Sequence, residues 1–248
     1  LLALSEYCRA KILSGLPWNL PSMAWGSWLY LAQPVNIFGV HGLGLLALIS
    51  AALLVSRAKG AVFLSAALLA STYIYSTLVL RPSNTSFGDG AGLSILLVQP
   101  NLDQRDKWQV EKRQAHIDKT FQVTLDGLKA APQTQLIIWP ETAIPALIDE
   151  GPWFRDALRA RLPRSDLYLM TGAVRRQTVD GMTAYFNAAM LWRSDGQLLQ
   201  RSDKHQLVPF GEYLPLQTWL EAVGLRQLTQ LRGGYQAGPP AARFGDHV

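Results

Sequence analysis

One carboxylate stands where α/β enzymes commonly carry their chemistry. Glu141 comes directly after the apolar run Leu-Ile-Ile-Trp (136–139), and Pro140 constrains the turn between them. A carboxylate at the carboxyl end of a buried strand is a typical active-site placement in α/β folds, and it could accept a proton from a reacting group. An acid in an ordinary surface loop has the same signature, so position alone leaves both interpretations open.

A lysine and a second carboxylate flank a rigid apolar loop later in the chain. Lys204 and Glu212 stand on either side of residues 205–211, a segment that contains a proline and a glycine. An ammonium group there could stabilise a developing oxyanion. A surface salt bridge would need the same two residue types, and the sequence alone does not choose between these roles.

Composition and charge exclude several classes of protein. The 248 residues include a single Cys and four isolated His, which argues against a disulfide scaffold and a zinc site. No Gly-rich nucleotide loop is present, so we expect neither a metal nor a cofactor. The net charge of +5 would suggest nucleic acid, but residues 1–81 hold five cations and one anion while the rest is nearly neutral. We therefore expect no nucleic-acid partner.

The residues after the first 81 have the pattern of an α/β domain. Apolar runs of strand length alternate with stretches of helical periodicity, which predicts a layered α/β fold. A linker over 82–92, rich in Gly and Ser, precedes a domain at 93–248. The predicted elements are strands at 93–99, 136–139 and 167–172, helices at 110–128, 153–162 and 216–231, and a hairpin at 185–193 and 198–201.

The first 81 residues are interpreted as a membrane region. Transmembrane helices are predicted over 34–56 and 60–80, because each is apolar on all sides and about 20 residues suffice to cross the hydrocarbon core. Arg57 and Lys59 lie between them, and the positive-inside rule places that connection in the cytoplasm. A partial helix over 1–15, in which Glu6 and Arg9 could pair, and an interfacial segment over 16–33, rich in Trp and Pro, precede these helices.

Several motifs together resemble the nitrilase, or carbon–nitrogen hydrolase, superfamily. They are WPETAIP within 136–145, Tyr185-Phe186-Asn187, and DKHQLVPFGEYLP at 203–215. With the membrane segments before them, they are most similar to the bacterial apolipoprotein N-acyltransferase family. The remaining matches are Glu6…Arg9, Leu16-Pro17-Trp18-Asn19, Val98-Gln99-Pro100-Asn101 and Gly234-Tyr235…Pro239-Pro240. The resemblance implies an αββα sandwich domain that follows transmembrane helices.

The resemblance also implies a role for individual residues. Glu141 matches the general base, Lys204 the lysine that stabilises the oxyanion, and Glu212 an assisting carboxylate. The expected substrate-binding residues are Trp108, Asn187, Phe210 and Tyr213. In the family the nucleophilic Cys of the Glu-Lys-Cys triad lies on a strand soon after the Gly-Pro-Pro region, so it is expected beyond Val248. The chain starts without Met and is expected to be a fragment that lacks both ends. Cys8 lies in the membrane region and is expected to be structural.

The implied reaction moves an acyl chain from a membrane phospholipid, through a Cys thioester, to the α-amine of a diacylglyceryl-cysteine at the N-terminus of an apolipoprotein. The implied location is the bacterial inner membrane, with several spans, the catalytic domain on the periplasmic side, and a monomeric state. Two alternatives stay open. One is a membrane-tethered hydrolase of small amides, and the other is a catalytically dead nitrilase-like scaffold for binding.

Overall fold

The computed structural model describes residues 1–56, 58–80, 92–103, 105–179, 181–222, 224 and 234–240. The chain divides into two compact units, Leu1–Gly88 and Asp89–Val248. The predicted linker at 82–92 lies outside the described residues except for Gly92.

The first unit is helical. Its helices are α1 (Leu2–Arg9), α2 (Leu29–Ala32), α3 (Val35–Val55) and α4 (Ala61–Val79), with a 3-10 turn at Pro21–Trp25. Helix α1 is shorter than the predicted 1–15, because Leu13 and Ser14 adopt positive φ angles of 62° and 111°, which a right-handed helix cannot contain.

Arg9 closes the turn that follows α1. Its guanidinium pairs with Glu6, as the helical spacing predicts, and donates hydrogen bonds to the carbonyl oxygens of Leu16 (2.6 Å) and Trp18 (2.7 Å). A fork of guanidinium donors can hold several acceptors at once. The pair therefore fixes the chain where it leaves α1 and enters the Trp-rich segment.

Helices α3 and α4 have the length and composition to cross a membrane, over 21 and 19 residues. Their polarity is reversed relative to that of a soluble helix pair. Large apolar side chains such as Val55 (84%) and Phe63 (82%) are exposed, while Ser50 (3%) and Ser65 (0%) are buried. Ser65 Oγ donates to the carbonyl oxygen of Ser50 at 3.0 Å. Small polar residues between helices and apolar residues outside are what a lipid surrounding favours.

The second unit contains a mixed five-stranded sheet with strand order β1-β2-β3-β4-β5. The first three strands are parallel and the last two pairings are antiparallel. The strands are β1 (Ile95–Leu97), β2 (Leu136–Ile138), β3 (Tyr168–Val179), β4 (Met182–Arg193) and β5 (Leu198–Asp203). This confirms the α/β fold class and the β4–β5 hairpin.

One strand is twice as long as predicted. The apolar run at 167–172 becomes β3, which continues to Val179 and pairs with β4 along twelve residues. The extension, residues 173–179, is Ala-Val-Arg-Arg-Gln-Thr-Val, whose polar residues gave no strand signal. Gly181, with φ of 77°, lies in the tight turn of this second hairpin, where a left-handed residue suits the twist of the strands.

Within the described part of the second unit, three α-helices accompany the sheet: α5 (Arg113–Ala130), α6 (Trp153–Arg161) and α7 (Gln217–Ala222). Helices α5 and α6 agree with the predicted helices at 110–128 and 153–162. The predicted helix at 216–231 is observed in part as α7. Leu216 precedes it with a positive φ of 50°, and the residues after Ala222, apart from Gly224, lie outside the described residues.

The core forms where α5 and α6 cover one face of the sheet. Ile137, Leu169 and Trp192 are paired neighbours on β2, β3 and β4, and none exceeds 1% exposure. Phe154 of α6 meets Trp192 edge to face, with ring centroids 5.3 Å apart. Edge-to-face packing adds to the stabilisation that burial provides.

The opposite face is partly uncovered near β1, where Ile95 (48%) and Leu97 (73%) are exposed. The described strands form a single sheet with α5 and α6 on one side. They therefore account for one of the two sheets of the expected αββα sandwich, whose second sheet would cover this apolar face.

Replacing Phe154 with Ala should destabilise the second unit by about 3–5 kcal/mol, because it leaves a cavity among rings that cannot fully collapse. Denaturant unfolding of the purified chain in detergent, followed by near-UV circular dichroism, measures this change. Val110→Ala is the matched control, since Val110 is 65% exposed. Equal midpoints for the two variants would contradict the described core.

Candidate active site

Two carboxylates converge on one ammonium group. Lys204 Nζ lies 2.9 Å from Glu212 Oε1 and 3.2 Å from Glu141 Oε1. Asn187 Nδ2 donates to Glu212 Oε1 at 3.0 Å and also to Glu141 Oε1. The structure thus brings together four of the residues singled out from the sequence, although Glu141 and Lys204 are 63 positions apart.

Strands β4 and β5 position Lys204 and Asn187. Asn187 lies within β4, and Lys204 follows Asp203, the last residue of β5. The amide of Lys204 donates to the carbonyl oxygen of Asn187 at 2.7 Å. This bond extends the antiparallel ladder by one step, so the two side chains emerge beside each other on one face of the sheet.

The loop that carries Glu141 is held against β3. The amides of Trp139 and Ala143 donate to the carbonyl oxygens of Met170 (2.9 Å) and Gly172 (3.2 Å). A Cβ atom on Gly172 would lie 2.6 Å from the Cα of Glu141, a separation that no side chain tolerates. Because residue 172 is glycine, the loop can pack directly against β3, and this contact fixes the position of Glu141 relative to the sheet. The sequence signal was a glycine inside an apolar strand, which often marks a close backbone contact.

The loop that carries Glu212 is closed on itself. Glu212 Oε2 accepts a hydrogen bond from the amide of Val208 at 2.9 Å, and its own amide donates to the Val208 carbonyl at 2.8 Å. Its side chain is only 13% exposed. Each carboxylate loop also contains a non-glycine residue in the left-handed region, Thr142 (φ 48°) and Phe210 (φ 61°). Such residues persist where the surrounding contacts impose a functional geometry.

Residues 234–240, which we call the strap, join the elements of the site. The amides of Tyr235, Gln236 and Gly238 donate to the carbonyl oxygens of Glu212 (2.8 Å), Tyr185 (2.8 Å) and Lys204 (2.9 Å), respectively. Backbone hydrogen bonds to three separate segments leave little freedom between them. The resemblance pointed to this segment, but its role as a connection came only from the structure.

The charges of the cluster support one another. Partial burial alone would raise the pKa of Glu141, but the hydrogen bond from Asn187 and the Lys204 ammonium lower that pKa below its ordinary value. Burial opposes ionisation of Lys204, and its hydrogen bond to Glu212 and the charge of Glu141 raise its pKa overall. Glu141 is therefore a carboxylate and Lys204 an ammonium at neutral pH.

Two further groups, neither predicted as a site residue, lie close to the cluster. Lys107 Nζ is 3.4 Å from the carbonyl oxygen of Glu141, and burial lowers its pKa against the opposing charge of Glu141. Burial, with the charges of Glu212 and Glu141, raises the pKa of Tyr235 to about 12, so this phenol stays neutral. No motif in the sequence marked Lys107.

A cavity of about 610 Å³ lies beside the loop that carries Glu141. Trp108, one of the predicted substrate-binding residues, lines it together with Trp153, Val174 and Tyr185. The lining is mostly apolar and aromatic, which suits an apolar ligand group. Glu150, also on the wall, is held in an ion pair with Arg176 at 2.7 Å.

Phe210 and Tyr213, the other two predicted substrate-binding residues, lie on the Glu212 loop and outside the described lining of this cavity. Phe210 is 48% exposed, and Tyr213 packs against the buried residues Leu207 and Tyr235. Among the described residues, no group of three or more His, Cys, Asp or Glu is arranged to hold a metal ion.

The arrangement suits acyl chemistry at a nucleophile that Glu141 could deprotonate. The Glu141 carboxylate can accept a proton from a nucleophile. The fixed Lys204 ammonium can stabilise the oxyanion that forms when the nucleophile attacks a carbonyl. Contacts with Glu212 and Asn187 fix the positions of the Lys204 ammonium and the Glu141 carboxylate relative to each other. Little reorganisation of these groups is therefore needed during the reaction.

Replacing Asn187 with Leu should raise the pKa of Glu141, because the hydrogen bond that favours its ionised form is lost. A titration of carboxyl carbon shifts by NMR, with Glu141→Gln used to assign the resonance, measures the change. Gln197→Leu, at the β4–β5 turn, should leave the titration unaltered. A Glu141 pKa that does not rise in Asn187→Leu would show that this contact has no electrostatic effect.

Comparison with known proteins identifies the family of the chain. The carbon-nitrogen hydrolase family model matches residues 97–244, and the model described as apolipoprotein N-acyltransferase N-terminal domain matches residues 1–53. The chain is 31% identical over 256 residues to the apolipoprotein N-acyltransferase of Brucella suis, covering 95% of this chain and 46% of that protein. The corresponding values for that of Allorhizobium ampelinum are 33% over 250 residues, 96% and 46%.

The chain thus spans about half the length of the curated relatives it matches. Among solved structures, an amidase of the nitrilase superfamily from Nesterenkonia is 18% identical, with a TM-score of 0.37, covering 62% of this chain and 51% of that one. The family model covers more than half of the chain, including all four residues of the charged cluster, and carries the assignment. The chain belongs to the carbon-nitrogen hydrolase family.

Proposed function

We propose that this chain is part of a membrane-bound N-acyltransferase that transfers an acyl chain from a phospholipid to the N-terminal amine of diacylated apolipoproteins. The observation that carries the proposal is the Lys204 ammonium between Glu141 and Glu212, at 3.2 and 2.9 Å. It occurs in a chain whose relatives of similar sequence are named apolipoprotein N-acyltransferases.

In the proposed reaction, Glu141 accepts the proton of a Cys thiol, expected beyond Val248, and the thiolate attacks the ester carbonyl of the lipid. Lys204 stabilises the tetrahedral oxyanion. When that intermediate collapses, the C–O bond of the ester breaks and Glu141 returns its proton to the departing oxygen, which releases a lysophospholipid and leaves a thioester. The acceptor amine then attacks the thioester, and the thiolate leaves as the amide forms. Glu141 can take the amine proton in this second step, so the same groups serve both halves.

Two features support lipid substrates over small amides. The cavity beside the Glu141 loop has walls that include Trp108, Trp153 and Val174, which offers an acyl chain an apolar surface. The exposed apolar sides of α3 and α4, with Ser50 and Ser65 buried, favour insertion of the protein into the bilayer that contains the acyl donor. A small polar amide requires neither feature.

The proposal places the protein in the bacterial inner membrane with its second unit on the periplasmic side. Its support is the pair of cations, Arg57 and Lys59, between the two candidate spans, which the positive-inside rule assigns to the cytoplasm. We propose that the lipid-bound enzyme acts as a monomer.

Glu141→Gln and Lys204→Ala should each lower the rate of acyl transfer, Lys204→Ala by about 10²–10³-fold, because a fixed oxyanion partner is lost. The measurement uses the full-length protein in phospholipid micelles with a synthetic diacylated lipopeptide as acceptor, and follows lysophospholipid and triacylated peptide. Arg193→Gln, in an exposed ion pair with Asp195, is the control. Wild-type activity in either active-site variant would overturn the assigned role, and release of ammonia from amides without lipid turnover would favour an amidase.

Trp108→Ala should raise the KM for the phospholipid severalfold with a smaller effect on kcat, because it removes an apolar wall that binds the chain before and during reaction. The matched control is Trp219→Ala, a residue of α7 that is 79% exposed. Steady-state rates over a series of donor chain lengths test this. An unaltered KM in Trp108→Ala would remove the cavity from the donor site.

A further inference from the structure

A buried ion pair lies on the reverse side of the sheet from the charged cluster. Arg175 of β3 grips Asp203 at the end of β5 through two bonds, Nε to Oδ1 at 2.9 Å and Nη2 to Oδ2 at 2.6 Å. Their side chains are 5% and 13% exposed. The guanidinium also lies 4.2 Å from the centroid of the Phe186 ring.

The strand register explains why this pair bears on Lys204. Asp203 faces Ala188 across the β4–β5 ladder, whereas Asn187, one residue earlier on β4, belongs to the other face. Side chains alternate between the faces of a sheet. Asp203 and Lys204 are consecutive, so one enters the ion pair below the sheet while the other enters the cluster above it.

The Arg175–Asp203 ion pair holds the chain at the point where β5 ends. Beyond Asp203 one ladder bond remains, from the amide of Lys204 to Asn187, and strand ends fray unless other contacts hold them. The strap packs against the same point, since a Cβ on Gly238 would lie 2.6 Å from the Cβ of Asp203. A charged pair this buried carries a desolvation cost that a hydrophobic pair of similar shape avoids.

We propose that Arg175 is a positioning residue for the reaction: through Asp203 it fixes the backbone of Lys204, so that the ammonium stays within hydrogen-bond distance of both Glu141 and Glu212. The inference rests on the proposed function for its kinetic test. Arg175 lies on the opposite sheet face from the cluster and is not itself catalytic.

In the full-length protein, Arg175→Met should lower kcat by about 10- to 100-fold, as expected for a misplacement of about 1 Å. KM should not change, because Lys204 acts on the oxyanion and not on the bound donor. Rates are expressed per active site, counted as the total thioester that accumulates when the enzyme is incubated with donor and without acceptor. Arg175→Lys should be intermediate, since it keeps the charge and loses the fork.

A double-mutant cycle separates positioning from a general structural effect. In a Lys204→Ala background, Arg175→Met should cause no further loss of kcat, because the group it positions is absent. Arg175→Met together with Asp203→Leu removes both buried charges, so the protein should remain folded by thermal unfolding while kcat stays low. Arg193→Gln serves as the control for loss of an exposed arginine.

A second readout does not depend on turnover. Labelling of Lys204 by acetic anhydride, quantified by mass spectrometry, should be at least threefold faster in Arg175→Met than in the wild type, because the amine leaves its carboxylate partners. Unchanged labelling, unchanged kcat, or losses that multiply in the double variant would each overturn the inference. A wild type that hydrolyses amides and leaves lipids intact would instead overturn the proposed function, and the labelling result would still decide the role of Arg175.

Discussion

The active-site arrangement of the second unit depends on the balance of charge around the Lys204 ammonium group. Two carboxylate oxygens within 3.2 Å of the same nitrogen would repel each other strongly if that nitrogen were neutral or displaced. Asn187 donates a hydrogen bond to each of the two oxygens and so stabilises them without adding a charge. The cluster therefore exists only while a loop after β2, the interior of β4 and the end of β5 keep their mutual positions. A shift of the β4–β5 register by one residue would turn the Lys204 side chain to the other face.

The helices of the first unit have polar contacts between them and apolar side chains on the outside, the reverse of the arrangement in a soluble protein. Within a bilayer, hydrophobic side chains gain little from contact with each other, so helices associate through small and polar groups. Ser76 Oγ contacts the carbonyl oxygens of Tyr30 (2.5 Å) and Thr72 (2.8 Å), and Tyr75 donates to Asn36 Oδ1 at 2.7 Å. These contacts connect the Trp-rich segment and α3 with α4, while the outer surface stays apolar.

The sequence allowed much of this to be predicted, and the failures share a cause. Periodicity located β2, α5 and α6, because their signals are local. The second half of β3 was missed, since the polar run that begins at Arg175 becomes a strand only by pairing with β4. Motif resemblance identified Glu141 and Lys204, yet no spacing rule could bring residues 63 positions apart into contact. Likewise, nothing in the sequence connected Arg175 with Asp203, and only the strand register shows that they pair on the face of the sheet opposite the cluster.

The strap has a consequence for how this protein's sequence can vary. It grips the site with main-chain atoms, through the amides of Tyr235, Gln236 and Gly238. What it demands is therefore an N–H group at three positions and room for the backbone at Gly234 and Gly238, where a Cβ would lie 2.5 Å from carbonyl oxygens. Such a requirement places little constraint on the chemical type of the side chains. A survey that ranks residues by reactive groups would pass over the segment, whereas proline scanning would find it at once, because proline lacks the donor.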